Sequence, residues 1–288
     1  MLTAESRQNY LRLSKPGITR MVMITAALGY VMGGHGVQSI GHLLLSVLAI
    51  GLASAGSSVL NNFLERDIDG LMGRTAAREL PTGKVSPENA LGFGILLVFM
   101  GTGLLILFVN LLTAFLVLMT AFTYVLIYTP LKRKTWLNTS IGAVPGAMPM
   151  ACGWVASTGE FGLGAWLLFA IMFCWQHPHF YAIAWMYKDD YEKAGFKMLS
   201  VVDQAGYRLF LQVILYALLL LAISVIPVGL GMAGKVYLFG AIVLGLYFIY
   251  FSLAFIKTHT RKSARDLLKA SIIYLPALFG FVLIDVLV

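Results

Sequence analysis

Asn61, Glu65 and Asp69 recur every four residues in the stretch NNFLERDIDGLMGRTAARELPTG. On a helix, that spacing puts one amide and two carboxylates on a single face. Asp67 falls off the stripe, and Asn62 lies beside it. Such a row of oxygen ligands suits Mg²⁺, which takes one or two carboxylates and completes its shell with substrate phosphates. Arg74 and Arg78 come later in the same stretch and Lys84 directly after it, and guanidinium forks match phosphate oxygens. Arg66 is a weaker phosphate ligand, because it can neutralise Glu65 or Asp69. Glu88 reads as a helix-start residue. On spacing alone the competing reading stays open: a solvated helix end whose arginines serve topology.

A second acidic segment closes the run WQHPHFYAIAWMYKDDYEKAG. Asp189 and Asp190 lie beside Lys188, Lys193 and Lys197, on the side expected for Glu65 and Asp69. Two acidic clusters facing each other would suit a diphosphate held through divalent ions and released as a leaving group. An interfacial loop is the bland alternative. His177 and His179 stand two apart, so on a helix they point in different directions. One of them could reach a haem iron, a substrate hydroxyl or a carboxylate. His35 is a lone candidate for a metal or haem contact, with structural packing an equal alternative. His259 is expected in a solvated basic loop.

The elements that must position these residues are apolar. The chain has 288 residues, 59% of them hydrophobic. Only 12% are Asp, Glu, Lys or Arg, roughly half the share of a soluble domain. Helices of about twenty apolar residues cross a bilayer, and nine such segments are legible: 18–38, 40–60, 89–108, 110–130, 138–157, 163–186, 208–229, 235–256 and 268–287. The second is expected to continue as helix through Asp69. The sequence thus predicts an all-α, polytopic membrane protein, a nine-helix bundle forming a single domain over 1–288. With the N-terminus in the cytoplasm, all the lysines and arginines except Lys235 fall on the cytoplasmic side, and the C-terminus lies outside. This asymmetry accounts for much of the net charge of +8 without nucleic acid. The first residues read as a retained cytosolic tail. Cys152 and Cys174 read as buried thiols. Pro145 and Pro149 suggest a kink, and Gly29-x-x-x-Gly33 and Gly51-x-x-x-Ala55 mark close helix approach.

Taken together, the stretches resemble the protohaem IX farnesyltransferases of the intramembrane aromatic-prenyltransferase superfamily. The resemblance runs from Ser14-Lys15-Pro16 almost to the end. It is most specific at NNFLERDIDGLMGRT, PTGKVSP, YTPLKRKTWLN, GAVPGAMPMACGW, WQHPHF, DDYEKAGFKMLSVV and YLPALF. The superfamily's Asn-x-x-x-Asp-x-x-x-Asp motif matches Asn61, Glu65 and Asp69, and Glu65 is the form usual in the haem branch. Tyr191 stands where the quinone-pathway branch often has Asp, and Glu79 where a Pro is usual.

The resemblance implies Mg²⁺ held by Asn61, Glu65, Asp69, Asp189 and Asp190. It implies diphosphate contacts from Arg74, Arg78, Lys84, Lys132, Arg133 and Lys188, and favours His179 over His177 for haem. Tyr124 or Tyr128 is a candidate for stabilising an allylic cation. The expected reaction joins farnesyl diphosphate to a vinyl group of protohaem IX with water addition, giving haem O and diphosphate. The expected setting is the prokaryotic plasma (inner) membrane, amid membrane lipid. A haem A synthase or terminal oxidase assembly is a candidate partner. The rivals are a quinone-pathway prenyltransferase and a non-enzymatic transporter or haem carrier.

Overall fold

The computed structural model describes residues 4–34 and 39–287, so His35 lies outside the described residues. Every regular element among them is helical. In chain order they are α1 (Ala4–Leu13), α2 (Pro16–Gly33), α3 (Ile40–Asp69), α4 (Pro87–Phe108), α5 (Leu111–Phe122), a π-helical turn at Thr123–Tyr128, α6 (Thr129–Leu131) and α7 (Asn138–Thr158). Then come α8 (Leu163–Met186), α9 (Lys188–Lys193), α10 (Leu199–Val202), α11 (Tyr207–Ser224), α12 (Ile226–Gly229), α13 (Lys235–Thr258) and α14 (Arg261–Leu287). Among the described residues, helix occupies most of each segment read as a span. Five of these helical stretches are long and apolar enough to cross a membrane: Ile40–Asp69, Pro87–Phe108, Leu111–Leu131, Tyr207–Gly229 and Lys235–Thr258. The others carry the polar sequence: α2 has Arg20, α8 has Gln176, His177 and His179, and α14 opens on a charged turn.

The chain packs as two compact units. The first comprises residues 1–134, 148–160 and 190–196; the second comprises 135–147, 161–189 and 197–288. The boundary inside α7 falls between Pro145 and Pro149, the pair expected to kink it, and α7 stays helical through both.

In the first unit, small residues bring helices together. A Cβ on Gly29 would collide with the Met150 carbonyl, and one on Gly153 with that of Ala26. Thus α2 and the second half of α7 touch backbone to backbone, and the Gly29–Gly33 pattern does mark a close contact. The core there is Ala26, Ala49, Ile50, Ala53, Leu105, Ala114, Val117 and Cys152. Small side chains are the means by which helices gain dispersion contacts where lipid removes the hydrophobic drive. Side chains cap the entries: Ser86 Oγ accepts from Asn89 N–H before α4, and Asn110 Oδ1 from Thr113 N–H before α5. Such caps satisfy donors that helix starts leave open. Glu88 sits in the first turn of α4, as expected of a helix-start residue.

The N-terminal segment is not a loose tail. Leu13 is fully buried with Val59, Leu80, Val85 and Ala90, and Tyr10 packs edge-on to Phe93. Glu79 is buried, with Oε1 3.9 Å from Arg12 Nη1. Its carbonyl accepts from Lys84 and Val85 N–H.

The second unit is built from α8, α11, α13 and α14 around Tyr237, Phe248, Phe255 and Tyr274. Asp285 accepts from the N–H groups of Gly234, Val236 and Tyr237, closing the N-terminus of α13. His259, expected to be simply solvated, is exposed yet lies flat on Phe210 at 4.1 Å between centroids. Cys152 and Cys174 are free and buried.

Candidate active site

The α3 helix runs unbroken to Asp69, and its last turns bury the predicted stripe. Asn61 is 1% exposed, Glu65 5% and Asp69 1%, whereas the Asp67 side chain is 85% exposed. Buried carboxylates are costly unless paired. Each residue of the stripe meets a cation delivered from elsewhere in the first unit. Lys15 Nζ donates to Asn61 Oδ1 at 2.7 Å, Lys132 Nζ to Glu65 Oε1 at 2.7 Å, and Arg78 Nη1 to Asp69 Oδ2 at 2.7 Å. Arg66 neutralises neither Glu65 nor Asp69: it lies 3.7 Å from Asp67 and donates to the Phe63 carbonyl. Its position one residue past Glu65 aims it off the stripe.

Second contacts fix these cations. Arg78 Nη1 also reaches Asn62 Oδ1 at 3.4 Å, and Asn62 Nδ2 donates to the Leu13 carbonyl at 3.0 Å. Lys132 Nζ lies 4.7 Å from the Tyr128 ring and 5.8 Å from that of Phe196. Tyr124 and Tyr128 stack at 5.7 Å. Arg74 donates to Tyr191 Oη at 3.1 Å and lies over its ring, so Tyr191 holds a basic residue of the polar loop.

Crowding sets the charges. Burial, then the positive Arg78 and Lys132, push Lys15 from 10.5 down to about 7. Burial also disfavours the Lys132 cation, but Tyr128 and the Glu65 carboxylate outweigh it and hold that ammonium above the ordinary lysine value. Lys15 has φ 48°, a left-handed conformation uncommon outside glycine that costs local strain and concentrates at functional positions.

The donor set fits a divalent ion in one specific respect. Asp69 Oδ1 is buried and has no hydrogen-bond partner. A buried carboxylate oxygen left bare is a coordination position without a donor. Among the described residues no three His, Cys, Asp or Glu side chains are grouped as a metal cage. The stripe offers two carboxylates and an amide, the partial shell that Mg²⁺ shares with phosphate oxygens.

The other predicted residues form no hydrogen bond or ion pair with the stripe among the described residues. Asp189 and Asp190 fall in the first turn of α9; Asp189 is exposed, Asp190 half-buried, and neither forms an ion pair among the described residues. The unit boundary passes between them. Lys188 Nζ lies 5.7 Å from the Trp185 ring. Lys84 and Arg133 are exposed. In the second unit the two histidines differ. His177 is fully buried, with Nδ1 2.7 Å from the Phe173 carbonyl, Nε2 3.0 Å from Ser140 Oγ, and its ring flat on Tyr216. His179 is half-buried, stacked on Trp175, with Nδ1 2.7 Å from Ser271 Oγ. Ser271 gives its own proton to the Leu268 carbonyl at 2.6 Å, so His179 donates through Nδ1 and keeps an Nε2 lone pair.

Nearly the whole chain is matched by known proteins, and residues 22–275 match the model of the UbiA prenyltransferase family. The chain belongs to the UbiA prenyltransferase family. It is therefore a prenyltransferase and an integral membrane protein. It is 40% identical over 287 residues to "Protoheme IX farnesyltransferase" of Solibacter usitatus, covering 96% of this chain and 98% of that one. It is 44% identical over 277 residues to the protein of the same name from Salinibacter ruber, covering 96% and 98%. Among solved structures, a digeranylgeranylglyceryl phosphate synthase superposes with TM-score 0.80 at 19% identity, covering 98% and 99%. A UbiA homologue from Archaeoglobus fulgidus, bound to GPP and Mg²⁺, superposes with TM-score 0.68 at 16% identity, covering 95% and 99%. These last two share the UbiA fold.

Sequence reading missed Lys15 and also Thr129, whose Oγ1 accepts from Asn61 Nδ2 at 2.9 Å. The signal for Lys15 was its place directly before the proline that opens α2. Thr129 had no signal beyond its membership of YTPLKRKTWLN.

Proposed function

We propose that this prenyltransferase transfers a farnesyl group from farnesyl diphosphate to a vinyl group of protohaem IX, with water addition, giving haem O and diphosphate. The observation that carries the reading is the buried stripe of Asn61, Glu65 and Asp69 with its bare Asp69 oxygen and ring of internal cations. The similarity over nearly the full length to proteins named for this reaction selects the acceptor.

In this reading Asn61, Glu65 and Asp69 hold Mg²⁺, with Asp189 and Asp190 as a further carboxylate set. Bound there, the ion would neutralise charge growing on the diphosphate. Arg74, Arg78, Lys84, Lys132, Arg133 and Lys188 take the phosphate oxygens, and their help is largest as the leaving group forms. The allylic carbon–oxygen bond breaks, with both electrons leaving on diphosphate. The stacked faces of Tyr124 and Tyr128 stabilise the allylic cation. The vinyl electrons form the new carbon–carbon bond, and water adds to the resulting cation and loses a proton. His179 presents its Nε2 lone pair to haem. The same reading has nine spans in a single domain, the N-terminus and polar loops in the cytoplasm, the C-terminus outside, and the prokaryotic inner membrane as its setting. A haem A synthase or oxidase assembly receives the product.

Purified protein given protohaem, farnesyl diphosphate and Mg²⁺ is expected to release diphosphate and form haem O. Prenylation of an aromatic acid instead would overturn the acceptor. Haem movement without diphosphate release would overturn the chemistry.

A further inference from the structure

We propose that Thr129 is a positioning residue that fixes which end of the Asn61 carboxamide serves as a ligand; the proposal rests on the reading of Asn61 as a metal ligand. The two ends of an amide have the same shape and opposite function. Turned one way Asn61 offers an oxygen to a cation, and turned the other way it offers two donors and repels it. No carboxylate in the stripe faces this ambiguity.

Two neighbours decide the orientation independently. Thr129 Oγ1 lies 2.9 Å from Asn61 Nδ2 and 2.9 Å from the Tyr124 carbonyl. The hydroxyl has one proton, and the carbonyl can only accept, so the proton goes there. Its oxygen therefore accepts from the amide nitrogen. On the other side the Lys15 ammonium, which in its charged form can only donate, meets Oδ1 at 2.7 Å. Both contacts point the oxygen the same way. They part company once an ion arrives. The Lys15 ammonium sits on the oxygen an ion would use, so its charge would oppose that ion. Thr129 binds the opposite end and stays. It is 5% exposed and comes directly after the π-helical turn. There its backbone N–H also reaches Tyr124, five residues back, so the turn itself sets the hydroxyl in place. Such turns are frequent at functional positions.

The test is a double-mutant cycle on full-length protein in detergent, read as Mn²⁺ affinity by electron paramagnetic resonance with inorganic pyrophosphate present. Thr129→Val is expected to weaken Mn²⁺ binding about tenfold, the scale on which groups orienting a metal ligand act. Thr129→Ser should restore it. In an Asn61→Asp background both ends of the side chain are oxygens, so Thr129→Val should cost nothing more. Should Thr129→Val fail to fold, Thr129→Ala takes its place in the same cycle. Unchanged Mn²⁺ affinity in the Thr129 variants, while Asn61→Ala loses affinity, overturns the positioning role alone. An equal loss in the Asn61→Asp background also overturns it, because the hydroxyl would then act through general packing. Unchanged affinity in Asn61→Ala overturns the ligand role of Asn61 and the proposal with it.

Discussion

The acidic stripe of α3 and the histidine segment of α8 both insert polar groups into apolar helices, and they are satisfied by different kinds of partner. The stripe draws on basic side chains: Lys15 reaches Asn61, Lys132 reaches Glu65 and Arg78 reaches Asp69. The histidines instead meet uncharged groups, His177 the Phe173 carbonyl and Ser140, and His179 the Ser271 hydroxyl. Each region nevertheless keeps an atom that makes no hydrogen bond among the described residues: Asp69 Oδ1, buried, in the stripe and His179 Nε2 in the segment. A residue's type says what it can bind, while its spare lone pair says whether it is free to do so. By that measure His177 is structural and His179 is available.

The largest expected effect lies in the stripe. Glu65→Gln or Asp69→Asn should lower turnover about 10²–10³-fold, as when one charge-stabilising group is lost, in protein that still inserts. Diphosphate release at limiting Mg²⁺ measures it, and wild-type rates would erase the distinction between bare and paired oxygens. Next comes Lys132→Met, which strands a buried carboxylate and should cost about 3 kcal/mol or more. Thermal unfolding in detergent reads this, and Lys132→Met with Glu65→Met should recover most of the loss. An unchanged melting temperature in the single variant would show that the pair is not what keeps Glu65 folded in.

For the histidines, His179→Ala should weaken haem binding about tenfold, the size expected for a lost ligand contact or its orienting partner. His177→Ala should lower thermal stability and leave haem affinity in place. Titration by the haem Soret band separates them, and equal losses of affinity would break the comparison. The smallest effect is a pH slope. Lys15 binds a proton less readily folded, at about 7, than at its ordinary 10.5. Between those values the unfolded chain carries more protons, so stability rises with pH across that window. Lys15→Met should flatten the rise in melting temperature over the same window; an identical slope in the variant would remove Lys15 as its source.

The four-residue period of Asn61, Glu65 and Asp69 was legible because a helix converts spacing directly into a face. The continuation of α3 to Asp69 and the positions of the apolar segments were legible for the same local reason. The internal cations were not. Which lysine meets Glu65 depends on how α3 packs in the first unit, and positively charged loops look alike when read only for topology. The π-helical turn left no trace either, since Thr123–Tyr128 has the composition of the apolar helix around it. Arg66 shows the opposite failure: nearness in sequence suggested a partner that helical geometry then turned away from it.

Residues 4–15 carry a consequence for handling the protein. Asn62 clasps the Leu13 carbonyl, Glu79 faces Arg12, and Lys15 ends the segment with its ammonium on Asn61. A purification handle fused there, or a protease that nicks there, disturbs the groups proposed to do the chemistry. Resistance of that segment to trypsin, whose cutting sites it contains at Arg7 and Arg12, would serve as a simple gauge of whether a preparation is intact enough to assay.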